Sequence, residues 1–276
     1  MGTLLNRRRY YMGGGSADEI IMTSTSNPEV LAVCYAQGWC ASPDYMTKSE
    51  AEAVTSIGTV FKDNTQITHF EELQYFGITV LNNSAFYGCS NLRQVTLKEN
   101  LRFGGRVFQN AGLTSIVIPY GVTFLNNDFS NCTSLVSIQL YDGLVDMPDL
   151  SGCTSLTRVD VPSSVRSFKS LRGDSSLVYI NVPEGVASIP AQIFRDCSSL
   201  PSVELPSTIT SIGESAFRSM GSLSSFIIHA VTPPTLGTNN NFNTTCVFYV
   251  PAGSVEAYKT ASGWSSFADR IQAIPT

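Results

Sequence analysis

Two histidines, seven cysteines and a scatter of carboxylates are the side chains from which this 276-residue chain could build acid–base, metal or nucleophilic chemistry. His69 and His229 stand far apart in sequence, each after strand-like residues, and cannot form a pair. No Ser-His-Asp order and no metal-binding His/Cys cluster stands out, so the sequence predicts no catalytic residue, no metal and no cofactor. Asp160 and Glu204 would lie two strands apart on one sheet face. That is about 9.6 Å, a separation that would suit an inverting hydrolase. Any two carboxylates on a stacked sheet fall at some multiple of this spacing, and the pair is read as coincidence. Cys89, Cys132, Cys153 and Cys197 recur at one position of a repeat. One thiol per coil does not converge as zinc ligands must. The same position also holds Ala111 and Met220, so the column reads as buried, reduced filling. Cys34 and Cys40 are close enough in sequence to pair, but a chain without an export signal argues against a disulfide.

The elements that would position these groups follow from a repeat. Leu92, Leu113, Leu135, Leu156, Leu177, Leu200 and Leu223 are separated by 21, 22, 21, 21, 23 and 23 residues. A large apolar residue precedes each of them: Phe86, Phe108, Phe129, Leu150, Leu171, Phe194 and Phe217. An alternating triplet follows, as in Val159-Asp160-Val161 and Val203-Glu204-Leu205. Alternation puts two apolar residues on one face of a short strand and the middle residue on the other. One such strand per coil cannot bury its face alone, so the coils must stack into a parallel sheet over a shared core. Pro119, Pro162, Pro183 and Pro206 end four of the strands. A second apolar pair at i, i+3 follows, for example Val186 and Ile189. The distance from this pair to the large apolar residue varies, which confines length variation to the side of the coil away from the strand.

The pattern is that of a leucine-rich repeat. It resembles the BspA-like type found in surface proteins of gut and oral bacteria. The likeness is clearest in Ile209-Thr-Ser-Ile-Gly-Glu-Ser-Ala-Phe-Arg-Ser-Met-Gly-Ser-Leu223 and in Asn82-Asn-Ser-Ala-Phe-Tyr-Gly-Cys-Ser-Asn-Leu92, and it extends over about residues 67–276. It implies a leucine-rich repeat solenoid, mainly β, with a parallel sheet on one face. A short helical cap would close the N-terminal end and a mixed strand and helix cap the C-terminal end. A fold of this kind does not by itself decide a function.

Four segments follow. Residues 1–26 read as a flexible basic, Gly-rich arm carrying Arg7, Arg8, Arg9, Tyr10 and Tyr11. Gly13-Gly14-Gly15-Ser16 lacks the Gly-Lys-Ser/Thr of a phosphate loop. Residues 27–77 read as the N-terminal cap. Asn27-Pro28 opens one helix, and the capping-box pattern Thr47-Lys-Ser-Glu50 opens a second that runs to about Ile57. Residues 78–230 form seven coils. Residues 231–276 form the C-terminal cap, where Trp264, Phe267 and Ile271 cover the last coil.

Net charge is −5, and only 14% of residues are charged. The absence of a basic stripe argues against a nucleic-acid partner. No apolar run is long enough for membrane insertion, and no apolar stretch follows the three arginines as a secretory signal requires. What remains for function is the outward face of the sheet. Its central positions, Gln139, Arg158, Asp160, Tyr179, Asn181 and Glu204, are the binding candidates; the competing reading is ordinary solvated cover. The expected role is non-enzymatic, structural or binding, with a protein or surface glycan as ligand. The opening segment resembles the start of structural proteins of gut bacteriophages. That resemblance implies a virion component whose arm docks on other virion proteins. A bacterial cell-surface adhesin is the alternative.

Overall fold

The structure is a computed structural model that describes residues 18–126 and 128–275. The proposed docking residues Arg7, Arg8, Arg9, Tyr10 and Tyr11 lie outside the described residues.

The N-terminal cap starts earlier than residue 27. β1 (Ile20–Thr23) packs Met22 fully into the core beside α1 (Pro28–Ala36) and pairs antiparallel with β2 (Tyr45–Thr47). Residues 20–26 therefore belong to the cap rather than to the arm, because the apolar run Ile20-Ile21-Met22 finds a strand partner. α2 (Lys48–Ala53) has the expected capping box. The Thr47 hydroxyl accepts from the Glu50 N–H, and the Glu50 carboxylate accepts from the Thr47 N–H at 2.8 Å. The helix stops at Ala53 and does not reach Ile57. Val54 turns extended, so that both Val54 and Ile57 are buried.

Beyond the cap each coil lays down one strand on a main track, and several lay a second. The elements are β3 (His69–Phe70), β4 (Val80–Leu81), β5 (Gln94–Val95), β6 (Arg102–Phe103), β7 (Ser115–Val117), β8 (Ser137–Gln139), β9 (Arg158–Val159) and β10 (Tyr179–Ile180). They continue with β11 (Ser188–Ile189), β12 (Ser202–Leu205), β13 (Ser211–Ile212), β14 (Ser225–Ile228), β15 (Thr235–Leu236) and β16 (Val247–Val250). α3 (Val255–Thr260) and β17 (Ile271–Ala273) close the chain. The main track is hydrogen-bonded in four parallel pieces: β3–β5, β7–β8, β9–β10 and β12–β14–β16–β17. The second track comprises β4–β6 and β11–β13–β15, with a single bridge between Asp146 and Ser167. It rises from the i, i+3 apolar pairs, which the sequence marked only as buried. The alternation holds: Val203 and Leu205 are buried while Glu204 between them is exposed.

All coils share one apolar core. Its spine is a ladder of stacked rings. Phe61, Phe86, Phe108 and Phe129 follow one another at 5.5, 5.3 and 5.6 Å between centroids, and the ladder resumes as Phe194, Phe217 and Phe242 at 5.5 and 5.9 Å. Leu150 and Leu171 fill the two coils between. Two residues past this ladder the chain takes a left-handed turn in every coil: Gly88, Asn110, Asn131, Gly152, Gly173, Asp196 and Ser219. At Gly152 a β-carbon would also crowd the Asn131 side-chain amide, so glycine suits both the turn and the close approach.

The cysteine column does more than fill space. The thiols of Cys89, Cys132, Cys153 and Cys197 donate to the carbonyls of Phe61, Phe108, Phe129 and Leu171 at 2.9, 3.0, 3.2 and 3.0 Å, each one coil back. All seven cysteines are free, Cys34 and Cys40 included. Burial pushes the Cys89 and Cys132 thiols up to about 12 and the Cys153 and Cys197 thiols higher still. Thiol reagents should therefore leave these four unmodified in the native protein and react fully only in denaturant. Rapid native labelling, followed by peptide mapping, would contradict the column.

Asp174 occupies the same column. One carboxylate oxygen accepts from the Cys153 N–H at 2.8 Å, while Oδ2 has no partner among the described residues. Burial, with Asp149 adding to it, pushes this carboxyl up to about 9 against 3.8 when free. The unfolded chain releases the proton near pH 4 and the folded chain near pH 9. The folded state then holds the extra proton between the two, so this residue makes stability fall as pH rises across that window. Asp174→Cys restores the thiol, and the Cys153 N–H keeps its bond to the Leu150 carbonyl at 3.0 Å. The substitution should raise stability at pH 8 by about 1–3 kcal/mol, the usual cost of an unpaired buried polar atom. It should also flatten the pH dependence of denaturant unfolding.

The C-terminal cap continues the sheet while covering its end. β16 and β17 extend the main ladder, and Trp264 and Tyr258 are fully buried over it. Their polar tips are satisfied: Trp264 Nε1 donates to the Pro234 carbonyl at 2.7 Å, and the Tyr258 hydroxyl to that of Ala230 at 2.8 Å. Deleting residues 251–276 should expose Phe248 and produce aggregation or a lowered Tm. A truncated chain that stays monomeric with unchanged Tm would show that the cap is dispensable.

Candidate functional site

The middle residue of each strand triplet faces solvent by the same alternation that buries its neighbours. Arg158 and Asp160, on either side of Val159 in β9, therefore share a face, and Tyr179 on β10 lies directly opposite Arg158 in register. Arg158 Nε and Nη2 donate to the two Asp160 oxygens at 2.8 and 2.6 Å. The guanidinium also sits 3.8 Å from the centre of the Tyr179 ring. The Arg158 fork holds the Asp160 carboxyl below its usual range. Both side chains are mostly exposed, so this pair adds little to stability. Its effect is to fix three side chains in one orientation.

Asn181 does a different job. Its Oδ1 accepts from the Val161 N–H at 2.7 Å and its Nδ2 donates to the Val161 carbonyl at 2.9 Å. The amide thus prolongs the β9–β10 ladder past the end of both strands. Glu204 meets His229 at 2.6 Å, and Gln139 donates to the Tyr141 hydroxyl at 2.5 Å. The six candidates thus fall on four successive coils and are each engaged with a neighbour. Asp160 and Glu204 do not face each other as an acid and a base. Asp160 is fastened by Arg158 and Glu204 by His229, and they line two different grooves.

One groove, about 320 Å³, runs between Tyr179, Asn181, Glu184, Glu204, Pro206 and His229. The other, about 510 Å³, lies between Tyr120, Tyr141, Asp142, Asp160, Ser163 and Tyr179. Tyr179 and Asn181 border both. The sequence reading missed Tyr120, Tyr141 and His229. Tyr120 and Tyr141 stack at 4.3 Å between centroids, and Tyr120 is 56% exposed. A signal was present for two of them: the position after each triplet is proline in four coils, and Lys98, Tyr141 and His229 are the departures. Wherever proline is absent, a longer side chain reaches past the strand end. The other histidine, His69, belongs to the cap, where its Nε2 lies 3.1 Å from the Ser26 carbonyl.

Among the described residues no group of three or more histidine, cysteine or acidic side chains is placed to hold a metal ion. No helix among them is long and apolar enough to cross a membrane. Stacked coils with one strand, one leucine and one turn each define a leucine-rich repeat solenoid. Residues 55–172 and 169–245 match the model of the BspA type leucine rich repeat region, in 6 copies, and the chain belongs to that family. No curated protein matches it in sequence. A leucine-rich repeat protein from Bacteroides ovatus ATCC 8483 has a similar structure, with 20% identity and a TM-score of 0.57 over 69% of this chain and 54% of that one. This chain therefore spans about half the length of that protein. A leucine rich cell surface protein from Faecalibacterium prausnitzii A2-165 matches more loosely, at 17% identity and a TM-score of 0.37 over 79% of this chain and 86% of that one.

Proposed function

We propose that this chain is a non-enzymatic binding protein of a bacterial surface that engages its target through the outward side of its main sheet. The observation that carries the reading is the cluster of Arg158, Asp160 and Tyr179. It is polar and aromatic, held in place by its own contacts, and stands in the middle of the array on a face that, among the described residues, no other element covers. Rigid, exposed Arg and Tyr side chains are frequent binding anchors. The carboxylates of the face are bonded to arginine, histidine or hydroxyl side chains, not aimed at a nucleophile, which supports binding over turnover. Membership of a repeat family known from surface proteins of gut and oral bacteria supports the location.

A second reading, a virion component, rests on the resemblance of residues 1–15 to the start of structural proteins of gut bacteriophages. Its arm would dock on other virion proteins while the solenoid faces outward. Cell fractionation with mass spectrometry separates the two readings. Recovery in the envelope fraction supports the surface role. Recovery in purified phage particles, lost when residues 1–16 are deleted, supports the virion. For the binding role itself, the labelled protein should bind whole bacterial or host cells. Arg158→Ala combined with Tyr179→Ala should weaken that binding about tenfold or more without altering the circular dichroism spectrum. Unchanged binding in the double variant would take the site off this face.

A further inference from the structure

The two grooves form a single track. Tyr120, Tyr141, Asp160, Tyr179, Glu204 and His229 come from six successive coils and border one or other groove, with Tyr179 and Asn181 common to both. At about 4.8 Å per strand the track spans roughly 24 Å along the solenoid axis. A site of that shape fits an extended ligand whose units advance coil by coil.

The lining limits the chemistry of that ligand. Among the described residues, the ionisable groups bordering the grooves, tyrosines aside, are Asp142, Asp160, Glu184, Glu204 and His229. Arg158 is spent on Asp160, and His229 on Glu204. An anionic ligand would find no free cation. Every carboxylate already accepts a bond from the protein: Asp142 from the Ser163 hydroxyl at 3.1 Å, Glu184 from the Ser207 N–H and hydroxyl at 3.0 Å each, the other two as described above. These bonds aim the carboxylates while leaving lone pairs open to solvent. The Ser207 contacts hold the Glu184 carboxyl below its usual range, so it stays an acceptor at neutral pH. Alongside them the stacked pair Tyr120–Tyr141 offers flat, exposed apolar ring surface. An extended peptide gains most of its affinity by adding to a sheet edge. This track runs across the strands, where no continuous row of backbone donors and acceptors is on offer. Fixed acceptors beside aromatic rings suit a ligand with many hydroxyl donors and flat C–H faces.

We propose that the track is the binding cleft for an extended, uncharged oligosaccharide, with Tyr120 and Tyr141 as its stacking platform and Asp142, Asp160, Glu184 and Glu204 as hydroxyl acceptors. The proposal rests on the open-face binding role proposed above and names the chemistry of the target. It is tested with the whole chain on immobilised β-glucan, mannan and xylan, with poly-lysine and heparin as charged counter-probes, at low and high salt. At least one neutral polymer should be bound, with little effect of salt. Tyr120→Ala with Tyr141→Ala should lower that affinity about tenfold or more, and Asp142→Asn with Glu204→Gln should lower it independently. Circular dichroism should show both variants folded. Retention on no neutral polymer, salt-sensitive binding to poly-lysine or heparin alone, or wild-type affinity in both variants would overturn it. Cell binding supplies the distinction from the broader reading. If it survives periodate oxidation of the cell surface and no neutral polymer is retained, the sugar assignment falls and the binding role stands. If neither cells nor polymers are bound, both fall.

Discussion

Every coil of this protein depends on the coil beside it. A strand of two to four residues buries an apolar face too small to stand alone, so the free energy of folding is gathered between coils rather than within them. The phenylalanine ladder makes this concrete. Its rings lie 5.3–5.9 Å apart, close to one strand spacing, and each is covered on both sides only if its neighbours are in place. The thiols point the same way, since each donates to a carbonyl one coil back. Removing the Phe86, Phe108, Phe129 or Phe194 coil, or tilting it, breaks a ring stack, a thiol bond and a strand pairing together.

The outward face of the main sheet inherits its order from this stacking. Arg158 and Tyr179 touch because β9 and β10 are in register, and the register is fixed by Leu156 and Leu177 buried beneath them. A one-residue slip in one coil would turn its outward side chain into the core. The interior therefore tolerates little change, while the exposed residue of each triplet is free to vary in chemistry. Val117, Gln139, Asp160, Asn181, Glu204 and Ile227 stand at equivalent places and range from aliphatic to amide to carboxylate.

The sequence made the fold legible because the repeat reports burial directly: leucine spacing, alternation and the phenylalanine column each mark an inward residue. The second strand track is not legible because its apolar residues are spaced i, i+3 and show none of the in-out-in alternation that marks the main-track triplets. The arm boundary was drawn too late because Ile20-Ile21-Met22 has no partner in sequence; β2, which makes it a strand, lies beyond an intervening helix. The candidate site was half visible. Outward strand positions could be counted, but Tyr120, Tyr141 and His229 follow the strands, and their approach to the face depends on how the chain leaves each coil. Asn181, a binding candidate by its outward position, also closes a backbone ladder. No spacing rule distinguishes an amide that binds a ligand from one that replaces a peptide.

Coil length varies without disturbing any of this. The connection from the second apolar pair to the phenylalanine position is five residues from Ile189 to Phe194 and three from Met147 to Leu150. The longer connection holds an extra left-handed residue two places before the ring, as at Gln192 and Ser215, and the shorter ones at Leu150 and Leu171 have none. A left-handed residue reverses the chain within a short span, so added residues loop outward and the ring returns to the same stack. The change is absorbed on the side of the coil away from the main sheet. Insertions and deletions can accumulate there while the spacing of exposed side chains along the track stays set by strand pairing. An elongated ligand needs such a surface: one face held in register by strand pairing, with its chemistry chosen coil by coil.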